Sequence, residues 1–116
     1  MACVAEFGII DVFDKDKDYS AEYEPEKYNC VANDDDYLDD WWNDLIVLKT
    51  YFHSYSRPGF ALARYGVTLI PPESSEAFYK IISADKRSKS SKELINLMNL
   101  LQKAVSENKY VIHYGV

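Results

Sequence analysis

Carboxylates crowd the stretch NDDDYLDDWWNDL at residues 33–45, where they could bind a metal ion or a basic protein surface. The stretch contains six aspartates and two adjacent tryptophans, with no Lys or Arg among them. Aspartates at a helix N-terminus are stabilised by the positive end of the macrodipole, which accounts for the first of them without any function. Asp36, Asp40 and Asp44 follow i, i+4 spacing, where like charges cost about 0.2–0.5 kcal/mol per pair. We call these three aspartates the acidic column, and the cost of their repulsion favours a functional role for it.

We predict a partner-binding surface centred on this helix. Asp39 lies beside the acidic column, and a helical wheel places Val47 on the same outward face of the helix as the column. Three aspartates on the preceding loop are expected to extend the surface. The predicted partner-binding residues are Asp14, Asp16, Asp18, Asp36, Tyr37, Asp39, Asp40, Asp44 and Val47. The alternative is a solvated acidic face that binds nothing.

The charge is distributed unevenly along the chain. Residues 1–44 hold 14 acidic and 3 basic side chains, a balance of −11, whereas residues 45–116 hold 5 acidic and 10 basic ones, a balance of +5. A negative surface of this strength repels nucleic acid and steers cationic partners toward itself. The basic run KRSKSSK at 86–92 is expected to be a solvated linker, an anion site at the start of the last helix, or an internal counter-charge for the aspartates.

Metal and catalytic motifs are weak. DKDKD at 14–18 resembles the start of a calcium loop, but the places that require Gly and Glu hold Tyr19 and Pro25. The two histidines and two cysteines lack zinc-ligand spacing. There is no G-x-S-x-G and no Gly-rich phosphate loop. We expect no metal, no cofactor and no catalytic activity, and we expect His113 to be a strand residue with a satisfied ring.

The spacing of apolar residues predicts the strands and helices that must position the candidate site residues. Strands are predicted at 3–13, with Gly8 as a possible bulge, at 27–32, at 67–70 and in the closing KYVIHYGV. A helix over about 34–49 begins at Asn33 or Asp34 and buries a stripe at i, i+3, i+4 spacing. Ser74 or Ser75 should cap a second helix, and Ser90 with Glu93 should form a capping box for a third. The buried stripe of the first helix is Leu38, Trp41, Trp42, Leu45 and Leu48. That of the third is Leu94, Leu97, Met98, Leu101 and Val105.

This mixed order of elements predicts an α+β fold, with a small mixed or antiparallel sheet packed against about three helices. We expect a single domain over residues 1–116, since the apolar content of 47% suffices for a core. The first residues lack a basic n-region and are interrupted by Glu6 and Asp11, which argues against a signal peptide. Without an export signal, Cys3 and Cys30 are expected to be buried thiols, and the protein is expected to be cytoplasmic.

The stretch ARYGVTLIPPESSEAFYKII at 63–82, together with the closing NKYVIHYGV, resembles small bacterial proteins of the immunity type. Such proteins neutralise a toxin domain inside the producing cell. The resemblance covers about a third of the chain and contains no catalytic or ligand motif. It implies a compact, acidic, non-catalytic inhibitor whose partner is a basic toxin domain, for example a nuclease.

Three other functions remain open. The chain could be a nucleic-acid mimic that inhibits a DNA-processing enzyme, for which its carboxylates would have to be spaced like phosphates. It could be a small enzyme or ligand-binding domain with a cleft lined by Tyr, His53 and Arg64. It could also be a scaffold protein whose acidic face serves only solubility.

Overall fold

A computed structural model describes residues 4–115 and shows an α+β fold built on one antiparallel sheet of six strands. The strands are β1 (Val4–Ile10), β2 (Val31–Asp34), β3 (Lys49–Phe52), β4 (Pro58–Phe60), β5 (Val67–Ile70) and β6 (Tyr110–Tyr114). The helices are α1 (Asp36–Asp40), α2 (Trp42–Leu45), α3 (Pro72–Ser83) and α4 (Lys92–Ser106), with a 3-10 helix at Lys86–Lys89. The strand order is β2-β1-β6-β5-β3-β4, so the closing strand lies in the middle.

The sheet has two differently covered faces. The helices cover the first face, where Phe7, Ile70 and Val111 pack in one core with side chains of α1 to α4. The segment 11–30 is longer than the loop predicted at 14–26, because the strands predicted at 3–13 and 27–32 are observed only at Val4–Ile10 and Val31–Asp34. It covers part of the second face with the buried Tyr19 and Tyr28. Because α1 and α2 belong to the first layer and segment 11–30 to the second, the acidic stretches of the N-terminal half are separated by the sheet.

Gly8 does not form the bulge considered above. It pairs with Ile112 in an uninterrupted β1–β6 register. A Cβ at this position would lie 2.6 Å from the Cβ of Tyr28 and 2.7 Å from Sγ of Cys30. The glycine therefore permits segment 11–30 to approach the sheet closely.

The predicted helix over 34–49 is wrong in its extent. It is broken at Trp41, whose φ of −93° and ψ of 0° end α1, and α2 ends at Leu45. The chain then enters β3 at Lys49, because residues 49–52 pair with β5 and β4. The apolar stripe is nevertheless buried at Leu38, Trp41, Leu45 and Leu48, while Trp42 is half-buried.

The predicted helix caps are shifted. Asp35 rather than Asn33 or Asp34 precedes α1. Pro71 precedes α3, and Pro72 takes the first helical position, where a missing N–H costs nothing. Ser91 rather than Ser90 caps α4 by accepting a hydrogen bond from the Leu94 N–H.

Within residues 4–115, no helix is both long enough and apolar enough to cross a membrane.

Candidate functional site

Two arginines from the basic half of the chain neutralise part of the acidic stretch. Arg64, from the turn before β5, donates to Asp35 Oδ2 at 2.8 Å through Nη2 and also pairs with Asp39 through Nη1. The hydrogen bond with Asp39, followed by the one with Asp35, raises the pKa of Arg64. Asp35 and Asp39 therefore hold α1 against the turn that carries Arg64.

Arg87 forms a second internal counter-charge. Its Nη1 lies 3.0 Å from Asp40 Oδ2, and its Nη2 lies 2.7 Å from Asp85 Oδ2. Asp85 also accepts a hydrogen bond of 2.8 Å from Trp41 Nε1. The bonds from Arg87, with that from Trp41, hold the pKa of Asp85 well below its usual range. Of the three roles considered for the run 86–92, the contacts of Arg87 correspond to the internal counter-charge.

The uncompensated carboxylates meet at the start of α1. Asp34, Asp36 and Glu93 line a depression of about 220 Å³, together with Tyr37 and Arg87. None of the three acidic side chains makes an ion pair with another residue in the range 4–115. Asp36 is exposed, and with Asp34 and Glu93 it gives the depression three negative charges. The one positive charge in the lining belongs to Arg87, which pairs with Asp40 and Asp85.

Backbone hydrogen bonds fix the walls of this depression. Glu93 Oε1 accepts from the Asp34 N–H at 3.0 Å, and Asp34 Oδ1 accepts from the Asp36 N–H at 3.0 Å. The Tyr37 hydroxyl lies 3.2 Å from Ser91 Oγ, and the Arg87 guanidinium lies 4.7 Å from the centre of the Tyr37 ring. The second oxygens of Asp34 and Glu93 have no hydrogen-bond partner among residues 4–115. The depression can therefore accept hydrogen bonds from an ammonium or guanidinium group.

Asp44 and Val47 lie at the other end of the acidic stretch. Because the helix is broken at Trp41, the three aspartates at i, i+4 spacing do not form a column on one continuous helix. Asp44 is exposed, and the side chains of Ile46 and Val47 that follow it are 46% and 72% exposed. The structure thus brings Asp36 and Tyr37 together, places Asp39 and Asp40 in internal ion pairs, and leaves Asp44 and Val47 on a separate surface.

The three loop aspartates do not extend the α1 surface. Asp14, Asp16 and Asp18 belong to segment 11–30, which packs on the opposite face of the sheet. Asp14 Oδ1 accepts from the Asp16 N–H at 2.8 Å, and Asp18 Oδ1 accepts from both the N–H and the hydroxyl of Ser20. The hydrogen bonds from Ser20 lower the pKa of Asp18. These contacts shape a local turn.

Arg64 and His53, which the ligand-binding alternative places in one cleft, have different partners. His53 has a positive φ of 69° at the end of β3, and its Nδ1 lies 3.2 Å from Arg57 Nη1. Arg64 is engaged with α1, as described above. Among residues 4–115, no cluster of three His, Cys, Asp or Glu side chains has the geometry of a metal site.

The remaining candidate metal ligands from the sequence are His113 and the two cysteines. His113 lies on β6 as expected, but its ring is only half satisfied: Nδ1 lies 3.4 Å from Thr68 Oγ1, and Nε2 has no hydrogen-bond partner within the described range 4–115. Burial lowers its pKa to about 3. Cys30 is half-buried, and burial raises its pKa to about 12, so its thiol is unreactive at neutral pH. Cys3 lies outside the described residues.

Sequence reasoning missed Asp34 and Glu93 as members of the site. Asp34 was explained by the helix terminus and Glu93 by a capping box, so neither was connected with Asp36. The distance of 59 residues between Asp34 and Glu93 in the chain left no local signal for their contact.

Comparison of the chain with protein-family models, with curated proteins and with solved structures finds no match.

Proposed function

We propose that this protein is a non-catalytic inhibitor that binds a basic protein in the cytoplasm, in the manner of an immunity protein that neutralises a toxin domain. The observation that carries the proposal is the depression at the start of α1. Asp34, Asp36 and Glu93 meet there without an ion-pair partner among residues 4–115. A lysine or arginine side chain of the partner would supply the missing charge.

The internal ion pairs support this role because they make the surface rigid. Arg64 and Arg87 anchor the two ends of the short helix α1 through Asp35, Asp39 and Asp40. A surface that is ordered before binding loses less conformational entropy when the partner arrives. The carboxylates in the depression then set the rate of association, because complementary charge accelerates encounter. Tyr37, half-buried at the depression, provides an aromatic contact of the kind that stabilises interfaces.

The arrangement favours a protein partner over the nucleic-acid-mimic alternative. A mimic must present a long row of charges, since double-stranded DNA carries about one charge per 1.7 Å of its axis. Here the break at Trp41 interrupts the row of aspartates, and Asp35, Asp39 and Asp40 are engaged by arginines. The free carboxylates form a local cluster that suits one or two cationic side chains.

The proposal is tested by isolating the partner with matched variants. The purified protein serves as bait in a lysate of the producing organism, beside the double variant Asp36→Asn/Glu93→Gln. The control is Asp16→Asn/Glu22→Gln, which removes the same charge from exposed positions on segment 11–30. We expect the native protein and the control to retain one basic protein in stoichiometric amount, and the depression variant to lose it. The isolated partner should then arrest growth when expressed alone and be harmless when co-expressed with this protein.

Two results would contradict the proposal. One is that no basic protein binds. The other is that the depression variant retains the partner as well as the control does, which would place the interface elsewhere. A partner that binds but has no toxic or enzymatic activity would leave the binding site in place and overturn the immunity role.

A further inference from the structure

The strand β2 forms one edge of the sheet, where only β1 pairs with it. The Ile9 N–H donates to the Tyr28 carbonyl, so the odd-numbered residues of β1 direct their backbone groups toward the β2 side. In the register of the two strands, these odd-numbered residues pair with Val31 and Asn33. Because backbone groups alternate in direction along a strand, the N–H and C=O of Ala32 point away from β1. Ala32 is also exposed, so β2 presents a free donor and a free acceptor at the edge.

One carboxylate covers the next outward group along this edge. The Asp34 N–H points away from β1 by the same alternation, and Glu93 Oε1 accepts a hydrogen bond from it at 3.0 Å. The backbone of Glu93 is fixed beside β2, because Asn33 Nδ2 donates to its carbonyl at 3.1 Å. Charged side chains at an edge are one means by which proteins prevent a strand from pairing with another chain. The protection is partial here, since no side chain or loop among residues 4–115 bonds to the N–H or C=O of Ala32.

The edge of β2 leads directly into the acidic depression at the start of α1. Asp34 is the last residue of β2 and also lines the depression. Glu93, which covers the Asp34 N–H, lies in the same lining together with Asp36. A chain that paired along β2 would therefore bring its own side chains to these three carboxylates. The free backbone groups and the negative charge thus form one continuous surface.

We infer that β2 binds an extended basic segment of the partner, which becomes a seventh strand of the six-stranded sheet. The inference rests on the proposed function for the charge of the partner and adds the mode of binding. The main chain of the segment pairs with the outward N–H and C=O of Ala32, as a peptide does when it extends a sheet. A carbonyl of the segment takes the place of Glu93 Oε1 at the Asp34 N–H. The released carboxylate of Glu93, with that of Asp36, then pairs with a lysine or arginine of the segment.

The bond between Glu93 and the Asp34 N–H makes the edge selective for basic segments. A neutral strand would break this bond and leave the released carboxylate without a cation. An acidic strand would in addition be repelled by the carboxylates of the depression. A basic strand exchanges the bond for a charge pair, so the same side chain that protects the edge from other chains favours the correct partner.

The test uses a synthetic peptide of about five Thr-Lys repeats, because threonine favours strands and lysine supplies the charge. The control peptide has the same sequence and charge but is methylated at every backbone nitrogen, so it has no main-chain donors. The dissociation constant is measured by NMR titration of the full chain, and hydrogen exchange is followed at the Ala32 amide. We expect the first peptide to bind and to slow the exchange of this amide. The methylated peptide should bind about tenfold more weakly and leave the exchange unchanged.

Matched proline variants test the same pairing from the protein side. Ala32→Pro removes the outward N–H without a change of charge, and an edge strand tolerates proline where its missing N–H faces solvent. This variant should bind the unmodified peptide about tenfold more weakly, whereas Ala32→Ser, which keeps the N–H, should bind as the native chain does. Phe60→Pro makes the same change on the opposite edge, since the Ala61 N–H bonds to the Leu48 carbonyl and the Phe60 N–H therefore points outward from β4. Its binding should be unchanged. Circular dichroism checks each fold, and the methylated peptide tests the native chain should Ala32→Pro not fold.

The outcomes separate strand addition from the proposed function. Equal affinity of the two peptides, or an Ala32 amide that exchanges equally fast with and without peptide, would overturn strand addition. The proposed function would still stand if the affinity fell in Asp36→Asn/Glu93→Gln. An unchanged affinity in that double variant would contradict the acidic depression as the binding site, even if the peptide paired with β2. Absence of peptide binding would overturn the inference. So would an Ala32 amide whose exchange slows with protein concentration in the free chain, because the edge would then bind a second copy.

Discussion

His113 should make the stability of this protein fall as the solution becomes acidic. The ring is completely buried and its centre lies 4.9 Å from that of the Phe7 ring. Its Nε2 has no hydrogen-bond partner in the part of the chain that the structure describes. Burial lowers its pKa from an ordinary value near 6.5 to about 3. As the pH falls through 6.5, the unfolded chain takes up a proton that the folded chain cannot accept until about pH 3. The unfolded state is therefore favoured progressively within this range.

The size of the effect follows from the two pKa values. At about 1.4 kcal/mol per pKa unit, the full difference corresponds to about 5 kcal/mol of unfolding free energy. Between pH 7 and pH 4.5 about half of this, roughly 2.5 kcal/mol, should be lost. Asp85 adds little in that interval, because even the ordinary carboxyl pKa of 3.8, which applies to the unfolded chain, lies below 4.5. A loss of this size is large against the total of about 5–15 kcal/mol that is typical of a domain.

The assay is urea unfolding followed by tryptophan fluorescence at pH 7 and at pH 4.5. His113→Leu removes the titrating ring while keeping an apolar side chain of similar volume. We expect the native protein to lose roughly 2.5 kcal/mol between the two pH values and the variant to lose much less. His113→Gln, which keeps a polar side chain, serves as a second non-titrating variant in case Leu disturbs the core. An equal loss in the native protein and in both variants would refute the argument, because other groups would then cause the acid sensitivity.

Three further changes test how the layers are held together. Asp85→Asn weakens the pairing with Arg87 and should lower the unfolding free energy by about 1–3 kcal/mol in urea titrations at pH 7. Gly8→Ala introduces a Cβ only 2.6 Å from an atom of segment 11–30, so it should destabilise the fold by about 1–3 kcal/mol and lower the midpoint of thermal unfolding. Phe13→Ala removes a ring stacked 3.9 Å from Tyr110 and should expose segment 11–30 to limited proteolysis while the helical circular dichroism signal is retained. Unchanged proteolysis in the last variant would show that the segment is held by other contacts.

Periodicity predicted the elements whose burial pattern is simple. The strand at Val67–Ile70 was located correctly, and α4 buries Leu94, Leu97 and Leu101 as its spacing indicates. Periodicity failed between residues 45 and 49, because Leu48 continues the helical spacing although its burial depends on the β3–β4 hairpin. A buried side chain at the right spacing does not show whether the backbone remains helical.

The electrostatics of the site could be predicted only in outline. The asymmetry of charge between the two halves indicated that internal neutralisation was possible, and Arg64 and Arg87 provide it. Arg64 lies 25 residues from Asp39 along the chain, and Arg87 lies 47 residues from Asp40, since both contacts depend on tertiary packing. Spacing alone therefore could not show which aspartates are engaged and which remain free.

The central claim is that the carboxylates at the start of α1 bind a basic partner, and the salt dependence of binding tests it most directly. Once the partner has been isolated, the dissociation constant is measured by isothermal titration calorimetry at several NaCl concentrations, for the native protein and for Asp36→Asn/Glu93→Gln. We predict that the native affinity falls as the salt concentration rises, and that the variant binds more weakly with a flatter dependence on salt. Equal affinities and equal salt dependence for the two proteins would contradict the claim.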